Sequence, residues 1–584
     1  MGITINNIYA KDGTEIIEIH SNDKSYRMNS LYNPMSEAVK YAAQFNELCN
    51  GTVLIIYGYG NGIFPQAIIE EYSDKGVVVF YEPNALIAKY IKSHMQHNEL
   101  TESNNVYYVS PDLSDNKRGY YLTSEFPLLL EKIITYSNYE HIEVACLPHY
   151  REIFGEEYEK LIELVRYRVR HLRSNIEASK LMGKEAVINN IMNLQYISDS
   201  YCADSLIGIF SERLPAVIVS AGPSLEKNVH VLRQMKNMAF IVCVDTAAGY
   251  LIQEGVVPDL IVSVDPDKPV VMFEDDRIKE IPMAVATDIN YQVLEKMKYS
   301  RIIFCSTENS YIQSLYRIGG HSINKLRSGG SVATMAMSLC IYWGFHKIIL
   351  VGQDLALSGE KLYAGNSAGN EVGREVREIE GIEGNQILTY TDYYSYLLWF
   401  EQTIMMYPEL EFIDATEGGA KISGTRIAAL EEVKNECCDY TEDISAKLES
   451  VKPSFDDIQR DKIKERIHNS LNTLKVLITR LTEGIQIAKR ASRIAVGNNM
   501  DIGQLESLDK KMQDISGYYN TIEEDYFIQR YIDATELEQF MSLFENIEEL
   551  SRQDRYRRME QYFEILLRAA EVVCNEWEQM LLSN

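Results

Sequence analysis

The sequence predicts an α/β protein: two Rossmann-like parallel-sheet domains followed by an all-α C-terminal bundle. Three observations lead there. Between residues 30 and 150, apolar strand-like runs end in glycine-rich or acidic turns and give way to helical stretches. The same alternation returns between residues 212 and 430, and alternation of this kind builds parallel, doubly wound sheets. From about residue 431 to the end the apolar residues fall at helical spacing instead.

Size and composition fit that plan. A chain of 584 residues has material for about three or four domains. Its 46% hydrophobic and 24% charged content is that of a globular protein. A formal charge of −28 excludes a general binder of nucleic acid or anionic membrane, because phosphate contacts need Lys and Arg. The nine cysteines are odd in number and form no Cys-x-x-Cys pair. Cys243, Cys305 and Cys340 lie in apolar runs, so buried thiols in a reducing compartment are expected. The opening Met-Gly-Ile-Thr-Ile-Asn shows no secretory signal. The apolar stretch Val332–Phe345 is too short and polar to span a bilayer. A cytoplasmic protein without a membrane span is the expectation.

The N-terminal domain, residues 1–150, begins with alternating residues around Glu15–His20 that read as a strand. A helix over Ser36–Leu48 follows. The buried strand Thr52–Tyr57 then ends in Gly58-Tyr-Gly-Asn-Gly62, and Gly76–Tyr81 ends in Glu82-Pro83. Strand, glycine loop, helix, strand and acid make a Rossmann-like βαβ unit. It is expected to serve as scaffold, with a nucleotide or S-adenosylmethionine as the alternative. Residues 151–211 read as a helical bridge with Leu161, Leu164, Val165 and Val169 on one face.

The central domain, residues 212–430, has strands at Ala216–Ser220, Phe240–Val244, Leu260–Val264, Ile302–Cys305 and Lys347–Val351. The first ends in Ala221-Gly222-Pro223-Ser224-Leu225, where glycine permits a tight turn and Pro223 and Ser224 suit a helix start. Exposed amides and the helix dipole favour an anion there. The next strands end in Asp245-Thr246 and Asp265-Pro266-Asp267, carboxylates at the edge where such folds bind ligands. Arg327-Ser328-Gly329-Gly330-Ser331 reads as a second phosphate cradle opening the helix Val332–Trp343. Gly352-Gln353-Asp354 ends the last strand, with Tyr363 shortly after, and Asp414–Ala420 is a polar, glycine-rich turn.

The C-terminal domain, residues 431–584, keeps a 4-3 apolar spacing through Ile467, Leu471, Leu474, Ile478, Leu481, Ile485 and Ala488. Thr535 and Glu538 read as a capping box for a helix with Leu537, Phe540, Met541, Phe544 and Ile547 inward. The last helix presents Met559, Tyr562, Phe563, Leu566, Val573, Trp577 and Leu581.

These motifs resemble the motility accessory factors, a bacterial family implicated in glycosylating flagellin with nonulosonic acids. The resemblance spans the glycine loop and Tyr81-Glu-Pro unit, Ala221-Gly-Pro-Ser-Leu, Gly352-Gln-Asp-Leu-Ala, Ala415–Ala420 and the helical tail. The central part is similar to a bacterial sialyltransferase core. By position, Gly222, Pro223, Ser224, Ser328, Gly329, Gly330 and Ser331 would hold a CMP-sugar, together with Asp245, Thr246 and Asp265. Asp354 and Tyr363 would lie near the reacting sugar. Those sialyltransferases use a histidine base after the Gly-x-Asp region, and here no histidine lies between residues 347 and 467. Asp354 or Glu417 is the expected substitute, while His321 and His346 read as ordinary loop residues.

The resemblance therefore implies transfer of pseudaminic or legionaminic acid from a CMP donor to Ser or Thr of flagellin, with no prosthetic group and the metal requirement open. The helical tail is the expected flagellin-binding part. The same core occurs in archaeal 6-hydroxymethylpterin pyrophosphokinases, which use ATP and Mg²⁺, and there Asp245, Asp265 and Asp267 would hold the metal. A non-enzymatic flagellin chaperone is the third reading.

Overall fold

The computed structural model describes residues 3–21, 24–94, 105–111, 119–357, 375–496, 501–544 and 550–583. It divides into two compact units, Met1–Ile176 and Glu177–Asn584.

The first unit opens with an antiparallel meander of β1 (Thr4–Tyr9), β2 (Glu15–Ser21) and β3 (Lys24–Arg27). A helix over Pro34–Ala42 follows, capped by Asn33, whose side chain accepts the Ser36 amide at 2.8 Å. The main sheet is parallel and five-stranded. Its members are β4 (Val53–Tyr57), β5 (Val77–Tyr81), β6 (Val106–Ser110), β7 (Tyr120–Leu122) and β8 (Ile142–Cys146), in the order β7-β6-β5-β4-β8. Every residue of β4 is buried, as expected of a strand covered on both faces. The two strands read from the sequence are thus present, each one residue shorter at its start.

The second unit is built on a nine-stranded sheet, parallel throughout. Its strands are β9 (Tyr201–Cys202), β10 (Ala216–Val219), β11 (Phe240–Val244), β12 (Leu260–Ser263), β13 (Met283–Ala286) and β14 (Ile302–Ser306). β15 (Lys347–Val351) comes next. The antiparallel hairpin β16 (Val376–Glu380) and β17 (Gln386–Tyr390) stands apart from the sheet, which is completed by β18 (Glu411–Asp414) and β19 (Arg426–Ile427). The sheet order is β19-β18-β15-β10-β11-β12-β13-β14-β9. The chain steps one way from β10 to β14 and the other way from β15 to β19, so the direction reverses between β10 and β15. Such a reversal leaves a crevice beyond the strand ends, the usual ligand position in open parallel sheets.

The segment read as a helical bridge holds the helix Gly155–Ile197 and then β9, which pairs with β14 at the sheet's edge. Two asparagines of this helix tie it to the sheet's loops. Asn189 Nδ2 donates to Pro266 O at 2.8 Å, and Asn193 Nδ2 donates to Ile289 O at 2.8 Å.

In the tail, the helices Asp457–Ile494 and Arg552–Leu582 pack along their lengths. Ile467, Leu474, Leu481, Ile485 and Ala488 are buried as expected, but Leu471 and Ile478 are half-exposed and Leu477 is buried instead. A helix of 3.6 residues per turn drifts from a 3.5-residue repeat, which moves the seam. Gly484 lets the helices close: a Cβ there would lie 3.0 Å from the Phe563 ring. The capping box at Thr535 is not formed. Thr535 is the last residue of the helix Asp525–Thr535, and its hydroxyl donates to Tyr531 O at 2.7 Å. The Glu538 carboxylate pairs with Lys180 at 2.9 Å. Of the side chains expected inward there, Met541 and Phe544 are exposed, and Ile547 lies outside the described residues.

All nine cysteines are free thiols, and burial raises the pKa of Cys243, Cys305 and Cys340 well above the usual thiol range. Among the described residues, no helix is long and apolar enough to cross a membrane.

Candidate functional site

The loops after β10 and β15 meet where the sheet reverses. The Gly222 amide donates to Gly352 O at 2.8 Å. A Cβ on Gly222 would lie 2.5 Å from that oxygen and 2.6 Å from Asp354 Oδ1, so a larger residue would force the loops apart. The Ser224 amide donates to Asp354 Oδ2 at 3.0 Å, and the Ser224 hydroxyl donates to Oδ1. Next to this pair, the Ser220 hydroxyl donates to Gln353 Oε1 at 2.5 Å. Asp354 is 5% exposed. Burial raises its pKa, opposed by the two Ser224 hydrogen bonds and by the Lys227 charge. The turn after β18 supports it from behind: the Ala420 amide donates to Asp354 O at 2.7 Å, with Gly419 at φ +80°.

The second small-residue turn faces the same crevice. Ser331 caps the helix Val332–Tyr342, its hydroxyl accepting the Thr334 amide at 3.3 Å. Gly329 donates to Thr334 Oγ1 at 2.9 Å and lies against Trp399. The Arg327 guanidinium is not a counter-charge in the crevice. It sits 5.1 Å from the Trp399 ring and donates to Thr403 Oγ1 at 2.5 Å, tying this turn to the helix Thr391–Met406.

A third group joins β11 and β12. Asp245 opens the helix Asp245–Gln253 and accepts the Ser263 hydroxyl at 2.5 Å. The Lys268 ammonium lies 3.0 Å from Asp245 Oδ2 and 2.7 Å from Asp265 Oδ2. Lys268 is 7% and Asp245 2% exposed. Burial raises the Asp245 pKa, opposed by the Lys268 charge and the Ser263 hydroxyl, while Asp245 and Asp265 together keep the Lys268 pKa raised against its own burial.

A cavity of about 280 Å³ lies among these loops. Gly222, Pro223, Gly330, Ser331 and Asp354 line it, as do Asp245, Thr246 and Asp265. Ser224, Ser328 and Gly329 were expected there and lie outside the lining. The Ser224 hydroxyl is turned to Asp354, the Ser328 hydroxyl accepts the Gly330 amide at 3.4 Å, and Gly329 is buried under Trp399. Asp267 also lies outside the lining. Glu417, expected as a base, is exposed and off the cavity. Its carboxylate accepts the Leu430 amide at 3.1 Å at the start of the helix Leu430–Cys437. Tyr363 lies outside the described residues. Neither His321 nor His346 lines the cavity.

Sequence reasoning missed four lining residues: Lys268, Asp392, Tyr393 and Tyr396. Lys268 could have been noticed as the base that follows Asp265-Pro-Asp. The three others come from the helix Thr391–Met406, and their one signal is the run Thr-Asp-Tyr-Tyr-Ser-Tyr. The lining thus includes Asp245, Asp265, Asp354 and Asp392 together with Lys268. Helices starting at Leu225, Asp245, Val332 and Thr391 bring their N-termini to this edge, and Val332 and Ala333, in the first turn of the third, line the cavity. Helix N-termini favour an anion, and tyrosine rings suit a planar partner.

Two other groups have different characters. Glu82, the acid after the N-terminal glycine loop, is 3% exposed, and burial pushes its pKa up to about 7. It accepts the Tyr150 hydroxyl at 2.6 Å, the Asn84 amide at 3.0 Å and the Tyr59 amide at 3.1 Å. A Cβ on Gly58 would lie 2.7 Å from the Tyr150 ring, so this ring packs directly on the glycine loop. Elsewhere, ligating atoms of Cys202, Asp204 and His321 come within 4.8 Å of one another. His321 Nδ1 and Asp204 are hydrogen-bonded at 2.8 Å, and Asp204 also accepts the Ser322 amide at 2.9 Å.

Comparison with known proteins returns related chains. Residues 188–360 match the family model described as 6-hydroxymethylpterin diphosphokinase MptE-like. An uncharacterized protein of Treponema pallidum (strain Nichols) is 28% identical over 130 residues, which cover 21% of this chain and 57% of that protein. This chain thus spans just over half the length of that relative. The solved structure of the MAf glycosyltransferase from Magnetospirillum magneticum AMB-1 is similar with a TM-score of 0.47 at 12% identity, over 99% of this chain and 93% of that one.

Proposed function

We propose that the chain is a cytoplasmic glycosyltransferase that moves a nonulosonic acid from its CMP donor to Ser or Thr hydroxyls of flagellin. The observation that carries this reading is the convergence of the Gly222–Pro223 turn, the helix start at Ser331–Ala333 and Asp354 around one cavity at the sheet's reversal point. The MptE-like match over residues 188–360 supports a nucleotide-handling core in the same segment.

Breaking the bond to the anomeric carbon builds positive charge on the sugar and negative charge on the departing phosphate. In this reading the Val332 and Ala333 amides receive that phosphate, already oriented by the helix and its Ser331 cap. Tyr393 and Tyr396 form a wall against which the base or the sugar lies. Asp354 acts as a positioning carboxylate, since both its oxygens hold Ser224. The proton of the acceptor hydroxyl passes to a carboxylate on the cavity wall, and Asp265 and Asp392 are the two to test. Glu417, exposed and outside the cavity lining, is not among them.

The test is incubation of the protein with flagellin and either CMP-pseudaminic or CMP-legionaminic acid, read by intact mass of flagellin. Mass gained with one donor and absent without it supports the reading; unchanged flagellin with both donors rejects it. A second reading rests on the family match: a pterin pyrophosphokinase using ATP and Mg²⁺. Thermal protection by CMP or CTP favours transfer, and protection by ATP with Mg²⁺ favours the kinase. Flagellin binding without protection by any nucleotide would favour the chaperone.

A further inference from the structure

Asp245 and Asp265, on successive strand ends, are the kind of carboxylate pair that holds a hard divalent cation beside a phosphate. The space between them is filled by the chain itself. Lys268 Nζ lies 3.0 Å from one carboxylate and 2.7 Å from the other, and it lines the cavity. Its course is fixed from both sides: the Lys268 amide donates to Asp265 O at 3.2 Å, and Asn290 Nδ2 donates to Lys268 O at 3.0 Å. The Pro266 carbonyl of the same turn is gripped by Asn189 at 2.8 Å. Asp245 is almost wholly buried and takes a second hydrogen bond from Ser263. A carboxylate so placed needs a counter-charge close by.

We infer that the Lys268 ammonium is the resident cation of this site, occupying the position between Asp245 and Asp265 that a divalent metal would take. Ligand binding in the cavity therefore needs no divalent ion, and removing the amine converts the pair into a divalent-metal site. The first consequence rests on the nucleotide reading given above; the second does not.

The experiment titrates Mn²⁺ alone into the full-length protein, read as loss of the free-ion electron paramagnetic resonance signal. Wild type sets the background for this acidic chain. Lys268→Ala is expected to gain about one Mn²⁺ per chain over it, and Lys268→Ala/Asp265→Asn to lose that gain. Lys268→Arg, which keeps the charge, is expected to stay at background. If Lys268→Ala does not fold alone, refolding in Mn²⁺ is the expected gain, and failure to refold in Mn²⁺ counts against the inference. The inference is overturned if Lys268→Ala binds no more Mn²⁺ than wild type, or if Asp265→Asn in the wild-type background removes a bound ion. A separate arm follows thermal protection by CMP with EDTA and with Mg²⁺. Equal protection supports the first consequence, and protection that requires Mg²⁺ overturns it. Absence of protection under both conditions counts against the nucleotide reading and leaves the Mn²⁺ result to decide the role of Lys268.

Discussion

Ser224 gives both its amide and its hydroxyl to the carboxylate of Asp354, the amide at 3.0 Å. This pair locks the turn after β10 to the turn after β15, across the point where the sheet changes direction. The serine read from the sequence as a phosphate ligand has its hydroxyl turned to Asp354.

Replacing Asp354 by Asn removes a charged acceptor from two hydrogen bonds. Roughly 1–3 kcal/mol of stability should be lost, as for other buried charge-assisted bonds. CMP protection should weaken with it. Urea unfolding and thermal shift check the two halves. Unchanged stability would mean that the pair contributes nothing.

Gly222→Ala should be worse for ligand than for fold. The added methyl meets Gly352 O and Asp354 Oδ1. Overpacking of this kind costs about 1–3 kcal/mol and pries open the two turns that form the cavity. Calorimetry with CMP checks it: an affinity equal to wild type contradicts the role given to the turn.

Lys268→Met leaves Asp245 buried without its counter-charge. Removing one partner of a buried pair costs about 3–5 kcal/mol. Changing Asp245 to Asn in the same chain should restore part of the loss, because the orphaned charge is then gone. A double-mutant cycle by urea unfolding measures that coupling.

Glu82 predicts a pH dependence with a definite sign. Its folded pKa is about 7 against a reference of 4.5, raised chiefly by burial. The stability that it contributes is therefore full below pH about 4.5 and is lost as pH rises through about 7. At pH 8 its ionisation costs the first unit roughly 3 kcal/mol. Glu82→Gln should remove that fall, so its stability relative to wild type improves between pH 5 and pH 8. Sugar transfer should persist in the variant, as befits a scaffold. A variant that destabilises equally at both pH values, or abolishes transfer, contradicts this account.

The helical tail is packed against the central α/β layer. Tyr311, on the central α/β layer, has its hydroxyl 2.9 Å from Ser470 and its ring 5.4 Å from Trp577, and the indole of Trp577 donates to Ile467 O at 2.9 Å. Removing the tail would strip Tyr311 of this packing. The exposed Met541 is a better probe. If the tail seizes flagellin through this face, changing Met541 to Ser should weaken flagellin binding in a pull-down at unchanged thermal stability.

Much of the architecture was legible because long apolar strands and glycine turns leave strong local signals. β4, β10, β11 and β15 were read within a residue of their observed starts. β13 and β9 were not: β9 is only two residues long, and β13 lacks a glycine-rich turn directly after it to mark the strand end. β18 was also missed, although the glycine-rich turn Asp414–Ala420 begins at its last residue. At the site, Gly222, Pro223, Gly330, Ser331 and Asp354 could be placed from their turns. Ser224 and Ser328 could not be oriented, because a hydroxyl that caps a helix and one that bonds a carboxylate are alike in sequence. Tyr393 and Tyr396 enter from a helix that follows a separate hairpin, and only the fold brings them to the cavity. The capping box at Thr535 failed because Thr535 is the last residue of the preceding helix and its hydroxyl donates back to Tyr531 O.

The most direct test of the central claim is intact mass of flagellin after incubation with the protein and each CMP-nonulosonic acid, run beside Gly222→Ala. The account predicts whole-sugar increments with wild type and few or none with the variant. Flagellin that gains no mass from wild-type protein with either donor, or gains as much from the variant, would contradict it.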